Sequence, residues 1–192
     1  MLAPILALLF AVPVQLVLAS GSRLWIDGDS NLRTWSCEAH GLETHAEART
    51  ADAGGVPSVR QVELAVPVDE LRCGDDHMES KLRESLKSSK HPRIEYTLTS
   101  VQQQTGSNEL EKRMKTTGLL TVAGRTRTVT MLVHAGVLHD GTLRARGSVP
   151  LQMSDYGVDA PSALLGLVKA KDRIVVRFDL RARAVFEGQA MN

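Results

Sequence analysis

Apolar and polar residues alternate one by one along most of this chain. In VELAVPV, Val62, Leu64, Val66 and Val68 share one face and Glu63 and Ala65 the other. Ile94, Tyr96 and Leu98 alternate with Glu95 and Thr97. TGLLTVAGRTRTVTMLV, residues 117–133, reads as two arms folded about a turn at Ala123-Gly124-Arg125-Thr126. Leu120 lies on the first arm; Val129, Met131 and Val133 lie on the second. Leu143, Ala145, Gly147, Val149 and Leu151 alternate with Thr142, Arg144, Arg146 and Ser148. Ile174, Val176, Phe178, Leu180, Ala182 and Ala184 alternate with Val175, Arg177, Asp179, Arg181 and Arg183. A period of two marks a half-buried strand, because successive side chains of an extended backbone point to opposite faces. One wet and one dry face per strand predicts antiparallel sheet, since strands buried on both faces are apolar throughout. Asp140-Gly141, Gly54-Gly55 and Gly106-Ser107-Asn108 supply turns.

Two stretches break the alternation. GDDHMESKLRESLKSSKHP places Met78, Leu82 and Leu86 at helical spacing, with Asp75 or Asp76 to cap its start and Pro92 to stop it. It predicts one amphipathic helix on the sheet or across its mouth. APSALLGLVKAKD puts Ala163, Leu164, Leu165, Leu167 and Val168 in a short apolar turn or helix between the last two strands. The expected class is therefore mainly all-β, either a sandwich or a closed barrel. Closure removes the edges that invite aggregation. A barrel of about eight strands is also wide enough to hold one small ligand. The small inward residues Ala145, Gly147, Ala182 and Ala184 leave space unless facing side chains fill it.

The beginning of the chain has a different pattern. MLAPILALLFAVPVQLVLAS carries no charged side chain and ends in Val17-Leu18-Ala19, which fits a signal-peptidase site. Residues 1–19 read as a cleaved signal peptide and 20–192 as a single domain, exported to the periplasm or secreted. The alternative is a retained anchor, since the run is nearly long enough to span a bilayer. About 170 residues can bury a core without staples. The net charge is +1, with the Lys and Arg residues scattered, and only 4% of the chain is aromatic. That composition argues against nucleic acid as a partner. In an exported chain the two cysteines, Cys37 and Cys73, are expected to form a disulfide.

Six histidines, at 40, 45, 77, 91, 134 and 139, fall in no metal-ligand spacing, so no metal is expected. No GxSxG, GxxxxGK[ST] or GxGxxG motif occurs. Nor does any spacing organise a Ser or Cys with His and Asp, so neither catalysis nor a cofactor is expected. Asp155-Tyr156-Gly157 admits two readings. It is a polar clamp at a barrel mouth, or a loop in which Gly157 takes positive φ and Asp155 caps backbone amides.

Three stretches resemble the YceI-like family of exported lipid-binding barrels. ESLKSSKHPRIEYTLTS is similar to that family's helix end, Pro loop and aromatic strand. The 117–133 hairpin resembles its G-x-L-T-x-x-G-x-T-[RK]-x-V pattern through Gly118, Leu120, Thr121, Gly124, Thr126, Arg127 and Val129. SDYGVDAP resembles its S-D-[FW]-G-[IV] loop through Ser154, Asp155, Tyr156, Gly157 and Val158. There are departures. Gly28-Asp29-Ser30-Asn31 follows Ile26-Asp27 where the family often has His-Ser, HAEA stands in place of G-x-F, and Met153 replaces an Arg. These departures imply that the ligand's polar end is handled differently.

The resemblance implies a lipocalin-like antiparallel barrel around a long apolar chain, with an isoprenoid-type lipid such as a polyisoprenoid or quinone, or a fatty-acid-like amphiphile, as partner. The expected ligand-binding lumen comprises Val66, Ile94, Tyr96, Leu98, Leu120, Val129, Met131, Ala145, Val149, Val176, Phe178 and Leu180, with Tyr156 and Leu164 from the loops. The competing reading is an envelope stress or redox interaction module that acts through its outer surface and has a packed interior. Transient membrane contact and a dimeric state stay open.

Overall fold

The computed structural model describes residues 13–49, 58–104, 111–160, 162–163 and 168–185. The strands are β1 (Pro13–Leu18), β2 (Arg23–Ser30), β3 (Thr34–Ala39), β4 (Glu43–Arg49), β5 (Ser58–Pro67) and β6 (Leu71–Arg72). They continue after the helix α1 (Asp76–Ser85) as β7 (Arg93–Gln103), β8 (Glu111–Val122), β9 (Arg125–Val137), β10 (Leu143–Gln152), β11 (Ser162–Ala163) and β12 (Val168–Val185). Every pairing is antiparallel. The order β1-β4-β5-β7-β8-β9-β10-β12 returns to β1, which closes an eight-stranded barrel. At one end β2, β3 and β6 extend the wall from β12.

β1 and β2 run one after the other along the same edge of β12. Leu18 lies opposite Ala182 and Arg23 opposite Asp179. The step between them turns at Gly21, whose φ is +84°. It is sealed by Ser22, whose hydroxyl donates to the Arg181 carbonyl at 3.0 Å and accepts from the Arg181 amide at 2.9 Å. On its other edge β1 pairs with β4, from Pro13 opposite Arg49 to Leu16 opposite Ala46. Val14 and Leu16 are buried against Ala46 and Ala48, with Val59, Val62, Leu143 and Ala182 packed around them. β1 lies within the segment 1–19 read as a leader: of its described residues, 13–19, six are strand.

The 117–133 hairpin turns one residue earlier than its sequence suggests. β8 ends at Val122 and β9 resumes at Arg125, so the turn is the two-residue pair Ala123-Gly124. Both residues have positive φ, +49° and +78°. That is the geometry whose twist matches the flanking strands. A Cβ on Gly124 would lie 2.5 Å from His91 Cε1. Gly124→Val is therefore expected to cost roughly 1–3 kcal/mol, read as a lower melting temperature.

α1 is capped by Asp75, whose Oδ1 accepts from the Met78 amide at 2.8 Å. Its Leu82 and the following Leu86 are buried in the main core, and Met78 packs against that core. No helix among the described residues is long and apolar enough to cross a membrane. The 160–172 stretch, expected to hold a short apolar turn or helix, carries the small β11–β12 pairing, with Ala163 opposite Val168. Leu164, Leu165 and Leu167 lie outside the described residues, as do the Gly54-Gly55 and Gly106-Ser107-Asn108 turns.

Cys37 of β3 and Cys73, just after β6, form a disulfide. Glu79 of α1 joins the same knot: it is buried, and its Oε1 accepts from the Cys73 amide at 2.9 Å. The helix is thus tied to the wall both covalently and by a hydrogen bond. The sequence separation is 36 residues. For a loop of that size the chain-entropy model gives roughly 3–4 kcal/mol. Replacing both cysteines by Ala should lower stability by about that amount. Thiol titration of denatured, unreduced protein should find no free thiol; two titratable thiols would contradict the bond.

Candidate functional site: an apolar lumen

The wall does not close on a solid core. A cavity of about 650 Å³ runs through the barrel. Its lining is built strand by strand from the dry faces: Leu64 and Val66 of β5, Ile94, Tyr96 and Leu98 of β7, and Leu120 of β8. Val129 and Met131 of β9, Ala145 and Val149 of β10, and Val176, Phe178 and Leu180 of β12 complete the ring. Tyr156 lines it from the loop after β10. Each residue of the expected ligand-binding set borders this space, except Leu164, which lies outside the described residues.

Three glycines keep the lumen open in a way that residue size alone does not reveal. Each lies under an aromatic ring. A Cβ on Gly118 would meet the Tyr96 ring at 2.4 Å, one on Gly147 the Phe178 ring at 2.7 Å, and one on Gly28 the Trp35 ring at 2.2 Å. The space left by Gly147, opposite Phe178 in the register, is therefore occupied. Because glycine has no side chain there, the ring lies flat against the wall instead of standing across the cavity. Ala182, also expected to leave room, does not border the lumen and packs against Val14 and Leu16 instead.

Burial pushes the Tyr96 and Tyr156 phenols above their ordinary range. Both stay neutral across physiological pH, which suits an apolar cavity. Charges on the outer wall are paired instead. Arg144 Nε donates to Asp179 Oδ1 at 2.8 Å, which holds that carboxyl below its usual range.

One end of the lumen is covered. Leu71, Leu82, Leu86, Met153, Tyr156 and Val158 are buried and line it there. The cover is shaped by a 3-10 turn at Met153–Tyr156, closed by Gly157 at φ +63°. The loop is clamped by Asp172, not by Asp155 as the sequence suggests. Asp172 accepts from the Ser154 amide at 2.8 Å and the Ser154 hydroxyl at 2.6 Å. These bonds hold the Asp172 carboxyl below its usual range. Asp155 contributes its backbone carbonyl, which accepts from Arg127 Nε at 3.1 Å.

Sequence reasoning missed part of the lining. Thr116, Val101, Gln103, Lys112 and Arg60 also border the cavity. A β-bulge accounts for two of these. Between Leu98 and Ser100 the β7–β8 register slips, so Val101 and Gln103 face inward although the 94-96-98 series has the other parity. Arg60 keeps the parity of Val62, Leu64 and Val66 and continues their face. Among the described residues no group of three or more His, Cys, Asp or Glu side chains converges as a metal site would.

Residues 28–182 match the model of the YceI-like domain family. The chain is also similar in fold to BcnA of Burkholderia cenocepacia, at a TM-score of 0.70 and 16% identity over 87% of this chain and 100% of that one. A polyisoprenoid binding domain from Saccharophagus degradans, implicated in plant cell wall breakdown, gives 0.65 and 12% over 90% and 98%. A YCEI protein of Campylobacter jejuni gives 0.60 and 13% over 79% and 85%. No curated protein matches the chain in sequence.

Proposed function

Since the chain belongs to the YceI-like domain family, we propose that it is an exported, non-catalytic lipid-binding protein that holds the tail of an isoprenoid-type amphiphile in its barrel. The observation that carries this reading is the cavity of about 650 Å³ and its almost wholly apolar lining. The cavity is elongated. From Lys112 to Val122 the lining of β8 spans ten residues, about 33 Å along the strand. With the strand tilt usual in barrels, that is about 25 Å along the axis. A space of that shape suits a long chain better than a compact solute. Burying each CH₂ of such a chain contributes about 0.8 kcal/mol, so a tail binds tightly with few polar contacts.

The polyisoprenoid-binding description of the Saccharophagus degradans domain supports the same ligand class. The disulfide supports an oxidising, exported location. The rival reading, a surface module with a packed interior, has nothing in this lumen to favour it. Native mass spectrometry of protein purified from its own cell envelope tests the proposal. A co-purifying lipid of prenyl-repeat mass is the expected result. Lipid-free protein that also fails to take up any added polyprenol would overturn it.

A further inference from the structure

One run of hydrogen bonds crosses the rim at the covered end of the barrel. Arg127 Nε donates to the Asp155 carbonyl at 3.1 Å, and Lys87 Nζ to the Gly157 carbonyl at 3.4 Å. Ser154, in the same loop, donates to Asp172 of β12. Earlier in β12, Lys169 is tied to Asn31. The Asn31 amide donates to the Lys169 carbonyl at 3.1 Å, and the Lys169 amide to Asn31 Oδ1 at 2.8 Å. Asn31 opens the β2–β3 turn. The end of α1, the start of β9, the cover loop and this turn therefore form one continuous surface.

Two features set this surface apart. The first is charge. Arg33, Lys87, Arg125, Arg127, Lys169 and Arg173 are exposed, and none of them has a carboxylate partner among the described residues. The carboxylates of the rim are fewer, and two are engaged: Asp172 by Ser154, and Asp29 by Lys171 at 3.8 Å. Asp155 and Asp159 are the others. Further down the wall, Arg23, Arg144, Arg146 and Arg177 each face a carboxylate. The second feature is an apolar point. Leu32 is 72% exposed, the most exposed large hydrophobic side chain among the described residues. Single exposed apolar residues are common, but the backbone holds this one out. Ser30 Oγ accepts from the Leu32 and Arg33 amides at 3.1 and 2.9 Å and donates to the Arg33 carbonyl at 2.8 Å. These bonds lock the turn with Leu32 at its tip.

An apolar tip beside cations without counter-charges suits a bilayer surface. There an apolar side chain enters the acyl boundary while Lys and Arg meet lipid phosphates. We infer that this rim docks on an anionic phospholipid membrane, with Leu32 inserted at the interface and Lys87, Arg125, Arg127 and Lys169 against the head groups. Lys87 and Arg127 spend donors on neutral backbone carbonyls, and a phosphate is the stronger acceptor. Docking in this way brings the cover of the lumen, and not the opposite rim, to the bilayer. The inference goes beyond the lipid-binding reading and does not depend on it, because vesicle binding needs no ligand in the barrel.

The test sediments delipidated protein with vesicles of phosphatidylcholine alone, or of phosphatidylcholine mixed with phosphatidylglycerol. Binding to the mixed vesicles should be tighter by about tenfold or more, and high salt should weaken it, as screening requires. K87Q, R127Q and K169Q should each cost about fivefold on mixed vesicles, the worth of one cation at an anionic surface. L32S should cost about tenfold, the lower end for burying a leucine. R49Q, at the opposite end of the barrel, should cost nothing. Lys169 is bonded here only through its backbone and Asn31, and Leu32 is exposed. L32S and K169Q therefore read the surface even where R127Q loosens the cover. Equal binding to both vesicle types, or binding to neither, would overturn the docking inference and leave the lipid-binding reading standing. So would a loss in R49Q as large as that in K169Q, or full binding by both L32S and K169Q.

Discussion

A chain cut after Ala19 is expected to be strongly destabilised, and one that keeps Pro13–Leu18 is not. β1 is hydrogen-bonded on both edges, to β4 and to β12. Val14 is 1% exposed and Leu16 8%. Losing two fully buried aliphatic side chains costs roughly 3–6 kcal/mol at the usual value per side chain. For a domain of this size that is about 10–20 °C in melting temperature. The cut also strips partners from Ala46–Arg49 of β4 and Gln15's neighbour Val185 back to Ala182 of β12. Two unpaired edges would then flank a slit in the wall, and exposed edges drive association. We therefore propose that any export cleavage falls ahead of Pro13. Melting curves and size-exclusion profiles of chains starting at residues 13 and 20 would check the stability difference. The intact mass of the exported protein would check the cleavage. An exported protein that starts at Ser20 and melts like the longer chain would remove β1 from the working barrel.

The second large effect separates two alanines that the sequence treats alike. Ala145 borders the lumen, and its wall partners are Leu180 and Ala135. Ala145→Phe places a ring in the empty space. Delipidated protein should hold its melting temperature or gain a little, while co-purified lipid should be lost almost completely. Ala182 packs against Val14, Leu16 and Leu143 instead. Ala182→Phe overpacks a filled corner and should cost roughly 1–3 kcal/mol. Gly118→Val gives a third outcome. Its side chain displaces the Tyr96 ring from the wall, so the ring itself should block the lumen. A thermal melt of apo-protein paired with a lipid-retention assay distinguishes the three. Destabilisation of apo-protein by Ala145→Phe, with no lipid in the unmodified form, would mean that the interior behaves as a packed core.

Much of the lumen is legible in the sequence because alternation is a local signal. Ile94, Tyr96 and Leu98 share a face wherever their strand lies, since extended backbone puts every second side chain on one side. The same rule fails at Val101 and Gln103. Nothing local marks the bulge at Thr99 that shifts them inward, because a bulge is a property of two paired strands. Arg60 is a different case: it keeps the parity of Val62, Leu64 and Val66, and only its charge sets it apart from that dry face. Asp155 and Asp172 illustrate another limit. Asp155 is adjacent to the turn it was expected to cap, yet Asp172, brought across by the start of β12, makes the bonds.

By itself the sequence determined which segments are strands, which face of each is dry, where the glycine turns bend the chain, and that one short helix interrupts the pattern. These follow from side-chain size, polarity and backbone freedom over a few residues. Only the tertiary structure places PVQLVL in the wall, between β4 and β12. Its apolar run alone fits a leader equally well. Tertiary structure likewise decided that aromatic rings lie flat on Gly28, Gly118 and Gly147, which leaves a lumen where the same residues could have filled a core.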